Sequence, residues 1–274
     1  MTAPRAQQEV QPSRVRVHAA DGVARLTLTR ADKQNAIDPQ MLDELLTAVS
    51  QVSRNRDVRV LVIAAEGSAF CAGVDLRTPF FMEDVAEATA FTGMNLLDLQ
   101  HELITAIYGL PQLTIAAVQG NAVGGGGLGL AMACDLRYAA HKAMFWMVPG
   151  ALNVVQDFGL TWLLQRVCGP SRTAEMVFTG RRVDAETAER WGFVNQVFQT
   201  SEQMALKVDE VAAAAATTSI DAARLLKHVV RHGAGSSLSD QLKLEAIANG
   251  LCFQSADFHQ AKTEFLASLR GKEA

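Results

Sequence analysis

The residues of this 274-residue chain that could do chemistry gather around one glycine-rich stretch, Leu113-Thr-Ile-Ala-Ala-Val-Gln-Gly-Asn-Ala-Val-Gly-Gly-Gly-Gly-Leu-Gly-Leu-Ala-Met-Ala-Cys-Asp135. It opens as an apolar run, Leu113 to Val118, bounded upstream by Pro111, with the length and composition of a buried strand. It then crosses Gly120 and Gly124 to Gly127. It enters a second apolar run, Leu128 to Ala133, which reads as a buried helix with Gly129 inside it. Glycines between a strand and a helix let a ligand lie against bare backbone. The first N–H groups of the helix have no intrahelical acceptor and can point at an anion. The chemistry implied is stabilisation of a negatively charged oxygen by main-chain donors. A tight strand–helix packing turn without a ligand is the alternative. A dinucleotide site fits poorly, because Gly120 and Gly124 do not match G-x-G-x-x-G and the stretch lies mid-chain.

A turn of this kind needs a scaffold, and the flanking sequence supplies one. Val23 to Thr29 alternates as a strand after the turn Asp21-Gly22. Asp38 and Pro39 open a helix whose apolar face is Leu42, Leu45, Leu46, Val49 and Val52. Val58 to Ala65 is a near-continuous apolar strand, suited to burial on both faces of a parallel sheet. A small-residue turn, Ala69 to Leu76, follows it. Glu83 to Leu110 is helical, with Phe91, Met94, Leu97, Ile104 and Ile107 expected in the core. After the glycine stretch come a short strand at Leu136 to Ala139 and an irregular segment, Phe145 to Gly159. An amphipathic helix at Leu160 to Val167, helices at Arg172 to Phe178 and after Asp184, and a strand at Phe193 to Phe198 complete this part. Strands separated by helices imply right-handed βαβ units, in which ligands sit at the carboxyl ends of the strands. Both small-residue turns lie at those ends, so their backbones could converge on one oxygen. Ser201 onward reads as helices alone, with breaks near Ser219 and at Gly233 to Ser237. The expected organisation is a polar, disordered arm over residues 1–13, an α/β core over 14–200 and a helical module over 201–274.

Composition removes several classes of function. A net charge of −4 and a pI near 5.9 argue against nucleic acid as partner. No apolar run reaches the ~18 residues a membrane span requires. Cys71, Cys134, Cys168 and Cys252 are widely spaced and read as reduced thiols of a cytoplasmic protein. The six histidines form no ligand pair with them or with carboxylates, so no metal is expected.

The ordered motifs Arg30-Ala-Asp-Lys-Gln-Asn-Ala-Ile37, Ala69-Phe-Cys-Ala-Gly-Val-Asp-Leu76, Ala116-Ala-Val-Gln-Gly-Asn-Ala-Val-Gly-Gly-Gly126, Ala131-Met-Ala-Cys-Asp-Leu136, Phe178-Thr-Gly-Arg-Arg-Val-Asp-Ala185 and Ser255-Ala-Asp-Phe258 together resemble the crotonase (enoyl-CoA hydratase/isomerase) family. The resemblance runs from about Val15 to the C-terminus. It implies an α/β spiral of ββα units with a helical C-terminal trimerisation module, assembled as a homotrimer or a dimer of trimers. It implies an acyl-CoA thioester as partner, with coenzyme A entering as part of the substrate and no separate cofactor. The thioester oxygen would sit between two backbone N–H groups, which map to Ala72 and Gly126. The glycine run is one longer than the usual spacing, so Gly125 is the alternative second donor. Ala69, Asp75 and Leu76 of the first turn are expected at the substrate. Coenzyme A is anionic, and Arg30, Lys33 and Arg77 are candidates to hold it; surface charges without that role are the alternative.

The chain departs from the family where its hydratases carry two glutamates. The first position falls on Gly129 (Leu128 in the other register) and the second on Pro149; neither side chain can move a proton. One acid remains, Asp157, where isomerase-like and dehalogenase-like members of the family carry a working aspartate. Trp146, Met147, Phe158 and Trp162 would desolvate it and raise its pKa. The alternative is that Asp157 caps the helix beginning at Leu160. The expected activity is enoyl-CoA double-bond isomerisation with Asp157 as base. A non-catalytic acyl-CoA binder, or a lyase or hydrolase acting on a bulky CoA ester, are the alternatives.

Overall fold

The computed structural model describes residues 12–78, 90–148 and 152–270. Val15–Ala20 (β1) and Val23–Leu28 (β2) form an antiparallel hairpin across Asp21-Gly22, both in left-handed conformation. Asp38 caps Pro39–Arg54 (α1) by accepting the Met41 N–H at 2.9 Å. Then come Val60–Ala65 (β3), Ala69–Cys71 (β4), Ala90–Gly109 (α2), Leu113–Val118 (β5) and Asn121–Val123 (β6). The glycine run winds as a π-helical turn, Gly125–Gly129, continuing into Leu130–Ala133 (α3). Leu136–Ala140 (β7), Met144–Trp146 (β8), Leu160–Cys168 (α4), Pro170–Thr179 (α5), Val183–Asp184 (β9), Ala185–Arg190 (α6) and Gln196–Phe198 (β10) follow. Four helices close the chain: Ser201–Ala216 (α7), Ile220–Gly233 (α8), Leu238–Phe253 (α9) and Ala256–Arg270 (α10).

Two sheets result. The larger has the order β1-β2-β3-β5-β7-β10 and is parallel except for the hairpin; the smaller has the order β4-β6-β8-β9. Three times a strand of the large sheet is followed closely by one of the small sheet: β3 by β4, β5 by β6 and β7 by β8. The chain thus advances as a spiral of ββα units, the fold class expected from the motifs. The small sheet, a helix-sized insertion aside, gathers the carboxyl ends of three parallel strands on one side of the molecule.

The large sheet is covered on both faces, which is why β3 and β5 read as unbroken apolar runs. Leu61 and Ile63 face a core shared with Leu45, Val49, Leu103 and Ile107, whereas Val60, Val62 and Ile115 pack on Met204, Val208 and Ala212 of α7. The first helix after residue 200 is therefore a layer of the core sheet. Met94, expected in the core, is 60% exposed, while Leu97 is half-buried and Ile104 and Ile107 are buried. The side chain of Phe91 lies outside the described residues. No described helix is long and apolar enough to cross a membrane.

One half-buried cluster ties the later helices to the sheet. Asp135 accepts hydrogen bonds from the Thr114 N–H and Oγ1, both at 2.8 Å, and pairs with Lys227 at 2.7 Å and Arg231 at 2.6 Å. Burial alone would raise its pKa; Lys227, Arg231 and the Thr114 amide outweigh that and hold it below the usual carboxylate range. The same burial pulls the Lys227 ammonium down in spite of Asp135.

Candidate active site

At the carboxyl ends of β4, β6 and β8 lies a cavity of about 770 Å³. Its backbone wall is two bends. Ala72, Gly73 and Val74 follow β4, and Gly124 and Gly125 open the π turn. The apolar side chains around them include Leu76, Leu97, Trp146, Val148 and Val154. Asp157 is the only ionisable side chain among the described residues lining it.

The glycines have separate tasks. A Cβ at Gly125 would stand 2.0 Å from Asp157 Oδ1, so the carboxylate rests directly on bare backbone. A Cβ at Gly126 would meet the Gly73 carbonyl carbon at 2.9 Å, and one at Gly127 the Cys71 oxygen at 2.2 Å. Those two glycines bring the π turn against the Ala72 bend. Gly126 is thus behind the cavity wall and Gly125 on it. Gly129 is not at the cavity at all: a Cβ there would meet Phe158 Cβ at 2.8 Å. The π-helical turn over Gly125–Gly129 closes over one residue more than an α-turn.

The loop Arg30 to Ile37 braces the first bend. The Ala72 N–H donates to the Gln34 carbonyl at 3.0 Å, the Ile37 N–H to the Gly73 carbonyl at 2.8 Å, and the Asp75 N–H to the Ile37 carbonyl at 2.8 Å. Gln34 and Asn35 both adopt left-handed φ values, 54° and 56°. Asn35 Nδ2 reaches the Glu66 and Ala69 carbonyls at 2.9 and 3.0 Å. Ala69 is buried in β4 and holds this scaffold rather than the cavity wall. Arg30 is likewise engaged within the scaffold. It pairs with Asp75 at 2.9 Å and Asp38 at 3.3 Å, and donates to the Ala36 carbonyl at 2.8 Å. Asp75 in turn holds Arg77 at 3.0 Å. Burial pushes its pKa up, but the hydrogen bonds from Arg77 and Arg30 outweigh burial and bring it down to about 2. Asp75 is therefore a structural anion beside the site. Lys33 is exposed on the 3₁₀ turn one residue before Gln34.

Asp157 does not cap α4. Gly159, in left-handed conformation, holds the cap position without a side-chain bond. The Asp157 carboxylate accepts from Gln156 Nε2 at 3.0 Å. Burial raises its pKa, against the smaller lowering effects of its own amide, the His101 charge and Gln156. Trp146 lines the cavity, and Arg182 lies 4.3 Å over its ring. Met147 and Phe158 are fully buried in the core behind it. Trp162 is elsewhere, in a separate groove with Tyr108 and Arg166. Pro149 lies outside the described residues.

Sequence reasoning missed two polar residues of the cavity wall, Gln100 of α2 and Gln156. Gln156 adjoins the predicted base and could have been found by that adjacency. Gln100, on a long apolar helix, carried no signal.

Fold and cavity define a largely apolar space between two backbone bends and a partly desolvated carboxylate. Residues 18–271 match the family model described as enoyl-CoA hydratase/isomerase. Similar proteins include the 1,2-epoxyphenylacetyl-CoA isomerase of Escherichia coli, 32% identical over 91% of this chain and 94% of that protein. The crotonyl-CoA hydratase of Syntrophomonas wolfei is 32% identical over 89% of this chain and 91% of its own length. The crystal structure of an enoyl-CoA hydratase from Bacillus anthracis superposes with a TM-score of 0.83 at 28% identity, covering 94% of this chain and 96% of that one. The chain belongs to the enoyl-CoA hydratase/isomerase family of acyl-CoA-processing enzymes.

Proposed function

We propose that the protein isomerises the double bond of an enoyl-CoA thioester through an enolate, with Asp157 moving the proton. The observation that carries this reading is Asp157 itself. It is the sole ionisable group among the described residues of the cavity, it is partly desolvated, and it rests on the glycine turn. In the forward step the carboxylate takes a proton from the α-carbon of a 3-enoyl thioester, and the electron pair passes to the thioester oxygen. The protonated Asp157 then returns the proton to the γ-carbon, leaving a 2-enoyl thioester. One carboxylate suffices for both transfers, whereas hydration needs a second acid to activate water.

The oxyanion is held by two amides, that of the Ala72 bend and one from the opening of the π turn, where Gly125 is the residue that lines the cavity and Gly126 the alternative. The Ala72 N–H is already hydrogen-bonded to Gln34. A neutral thioester carbonyl gains little by competing with an existing amide–carbonyl bond. An enolate oxygen gains more, since charge-assisted hydrogen bonds are roughly twice as strong as neutral ones. The donor thus acts preferentially on the charged species, which is the condition for accelerating the step rather than tightening substrate binding. Lys33 is the remaining exposed cation of the loop available to coenzyme A phosphate. Exposed Val230, Leu242, Ile247, Phe265 and Leu269 on α8 to α10 support a homotrimer or dimer of trimers, which a solution mass would test.

The test is to supply 3-enoyl-CoA thioesters and follow formation of the conjugated product by absorbance. Wild type converts them and Asp157→Asn loses at least ~10²-fold in kcat, the lower end for a lost acid–base group. Equal rates for the two would remove Asp157 from the mechanism. The Ala72–Gln34 bond also favours a second reading, a non-catalytic acyl-CoA binder; tight binding with no turnover of any thioester would establish that instead.

A further inference from the structure

Asp157 is presented by a turn that an ordinary chain avoids. Phe158, the residue after it, has a left-handed φ of 53°, and Gly159 follows at 66°. For a residue with a side chain that conformation crowds Cβ against the next carbonyl, and it persists only where the surroundings fix it. Here they do. The Phe158 side chain is fully buried in the core. Methyl groups at Gly129 and Gly125 would stand 2.8 Å from its Cβ and 2.3 Å from its Cδ2, so both glycines make room for it.

On the other side of Asp157, Gln156 is bound to it twice. Its Nε2 donates to Asp157 Oδ1 at 3.0 Å and to the Asp157 carbonyl at 3.3 Å. Two acceptors on one residue settle the orientation of the amide, since turning it over would set oxygen against both. Its Oε1 is sealed in the protein without a partner, which native structures rarely allow without cause. Both unfavourable features thus fall on the two neighbours of one carboxylate. No other side chain among the described residues donates to that carboxylate. Its oxygens are therefore unlike. Oδ1 carries the Gln156 bond and rests 2.0 Å from where a Gly125 Cβ would stand, whereas Oδ2 has no such bond.

We propose that Gln156 is a positioning residue for the proton transfer: it holds Oδ1 against the glycine turn, so that Oδ2 takes the proton from the α-carbon and returns it to the γ-carbon. The C–H electron pair passes into the enolate in the first transfer and back to carbon in the second. This rests on the reading of Asp157 as the base. A carboxylate free to turn about Cβ–Cγ presents its oxygens in a spread of directions. One tethered at Oδ1 presents Oδ2 in a single direction, and a misplacement of about 1 Å at a reacting group can cost ~10²-fold in rate. The tether has a second effect. An N–H donated to a carboxylate favours its charged form, so Gln156 works against the burial that disfavours ionisation of Asp157. More of the base is then ionised near neutral pH.

The experiment follows isomerisation of a 3-enoyl-CoA thioester as a function of pH in wild type, Asp157→Asn, Gln156→Leu and the nearly isosteric Gln156→Glu. In Gln156→Leu the plateau kcat falls about tenfold or more while KM stays within about threefold. The acidic limb of kcat/KM moves up by about one pH unit, the worth of a hydrogen bond to a charged group. Gln156→Glu keeps the shape but sets a second carboxylate beside the first, and moves the limb further up. A purely structural Gln156 would lower the melting temperature and leave the limb in place. Limbs that coincide with that of wild type in both variants overturn the proposal, as does a plateau kcat unchanged in both. Absence of turnover in the wild type, or equal rates for wild type and Asp157→Asn, is a different result and refutes the reading of Asp157 as the base. Should Gln156→Leu lose its fold, as its melting curve would show, Gln156→Glu decides alone.

Discussion

Replacing Gly125 by alanine separates the chemistry of the cavity from its packing. Gly125 has no left-handed φ, so alanine brings no backbone strain there. The added methyl would lie 2.0 Å from Asp157 Oδ1 and 2.3 Å from Phe158 Cδ2, where ordinary contact begins at 3.4 Å. The carboxylate must therefore retreat by about 1.4 Å, the difference between those distances. A displacement of about 1 Å at a reacting group can cost ~10²-fold in rate. Gly125→Ala is accordingly expected to lower kcat by ~10²-fold or more. Crowding against buried Phe158 adds a destabilisation of about 1–3 kcal/mol, as overpacking of a core does.

Gly129→Ala is the internal control. Its methyl would meet Phe158 Cβ at 2.8 Å, and its three nearest neighbours all belong to Phe158, whereas at Gly125 the nearest is Asp157 Oδ1. It should destabilise the fold to a similar degree while leaving kcat within about tenfold of wild type, since no reacting group shifts. Thermal melts and steady-state turnover of 3-enoyl-CoA on both variants decide the matter. If Gly125→Ala keeps wild-type turnover, or if Gly129→Ala loses as much, then Asp157 and the π turn do not act as a unit.

Two further outcomes follow from the charges. Asp157 has a raised pKa because burial disfavours its ionised form, so at neutral pH its charge opposes folding, and that penalty vanishes once the pH is below the unfolded carboxylate's pKa. Asp157→Asn should therefore melt above wild type at pH 7, the gap closing as the pH is lowered toward 4 and beyond; a variant less stable at pH 7 would contradict this. Asp135 has the opposite sign: its pKa is depressed, so its contribution is present above the unfolded pKa and lost as the pH falls through the folded one. Asp135→Asn leaves Lys227 and Arg231 without their shared carboxylate and should cost about 3–5 kcal/mol at pH 7 by urea denaturation, and a loss under ~1 kcal/mol would show that the cluster does not anchor α8.

The parts of this molecule legible in its sequence are those governed by local rules. Val58 to Ala65 read as a strand buried on both faces because alternate residues serve two different cores, Leu61 and Ile63 one and Val60 and Val62 the other. Asp38 read as the opening of a helix and does cap it, accepting from Met41, and the helix expected after Asp184 is capped by that residue, which accepts from Thr187. Met94 failed because helical spacing records that a face is apolar and not what covers it. The ion pairs of Arg30 were hidden for a related reason. A cation in a polar loop suggests an anionic ligand, but its partners, Asp38 and Asp75, stand 8 and 45 positions away in the chain and meet it only after folding. The glycine run is the sharpest case. Spacing left Gly125 and Gly126 undecided. In the structure the run winds as a π turn that sets Gly125 on the cavity wall beneath Asp157 and turns Gly126 inward against Gly73. A π turn has no side-chain signature in a row of glycines, so what distinguishes the two positions is what crowds each of them, the Asp157 and Phe158 side chains at Gly125 and the Gly73 backbone at Gly126. That crowding is also why neither can carry a side chain without disturbing a different part of the site.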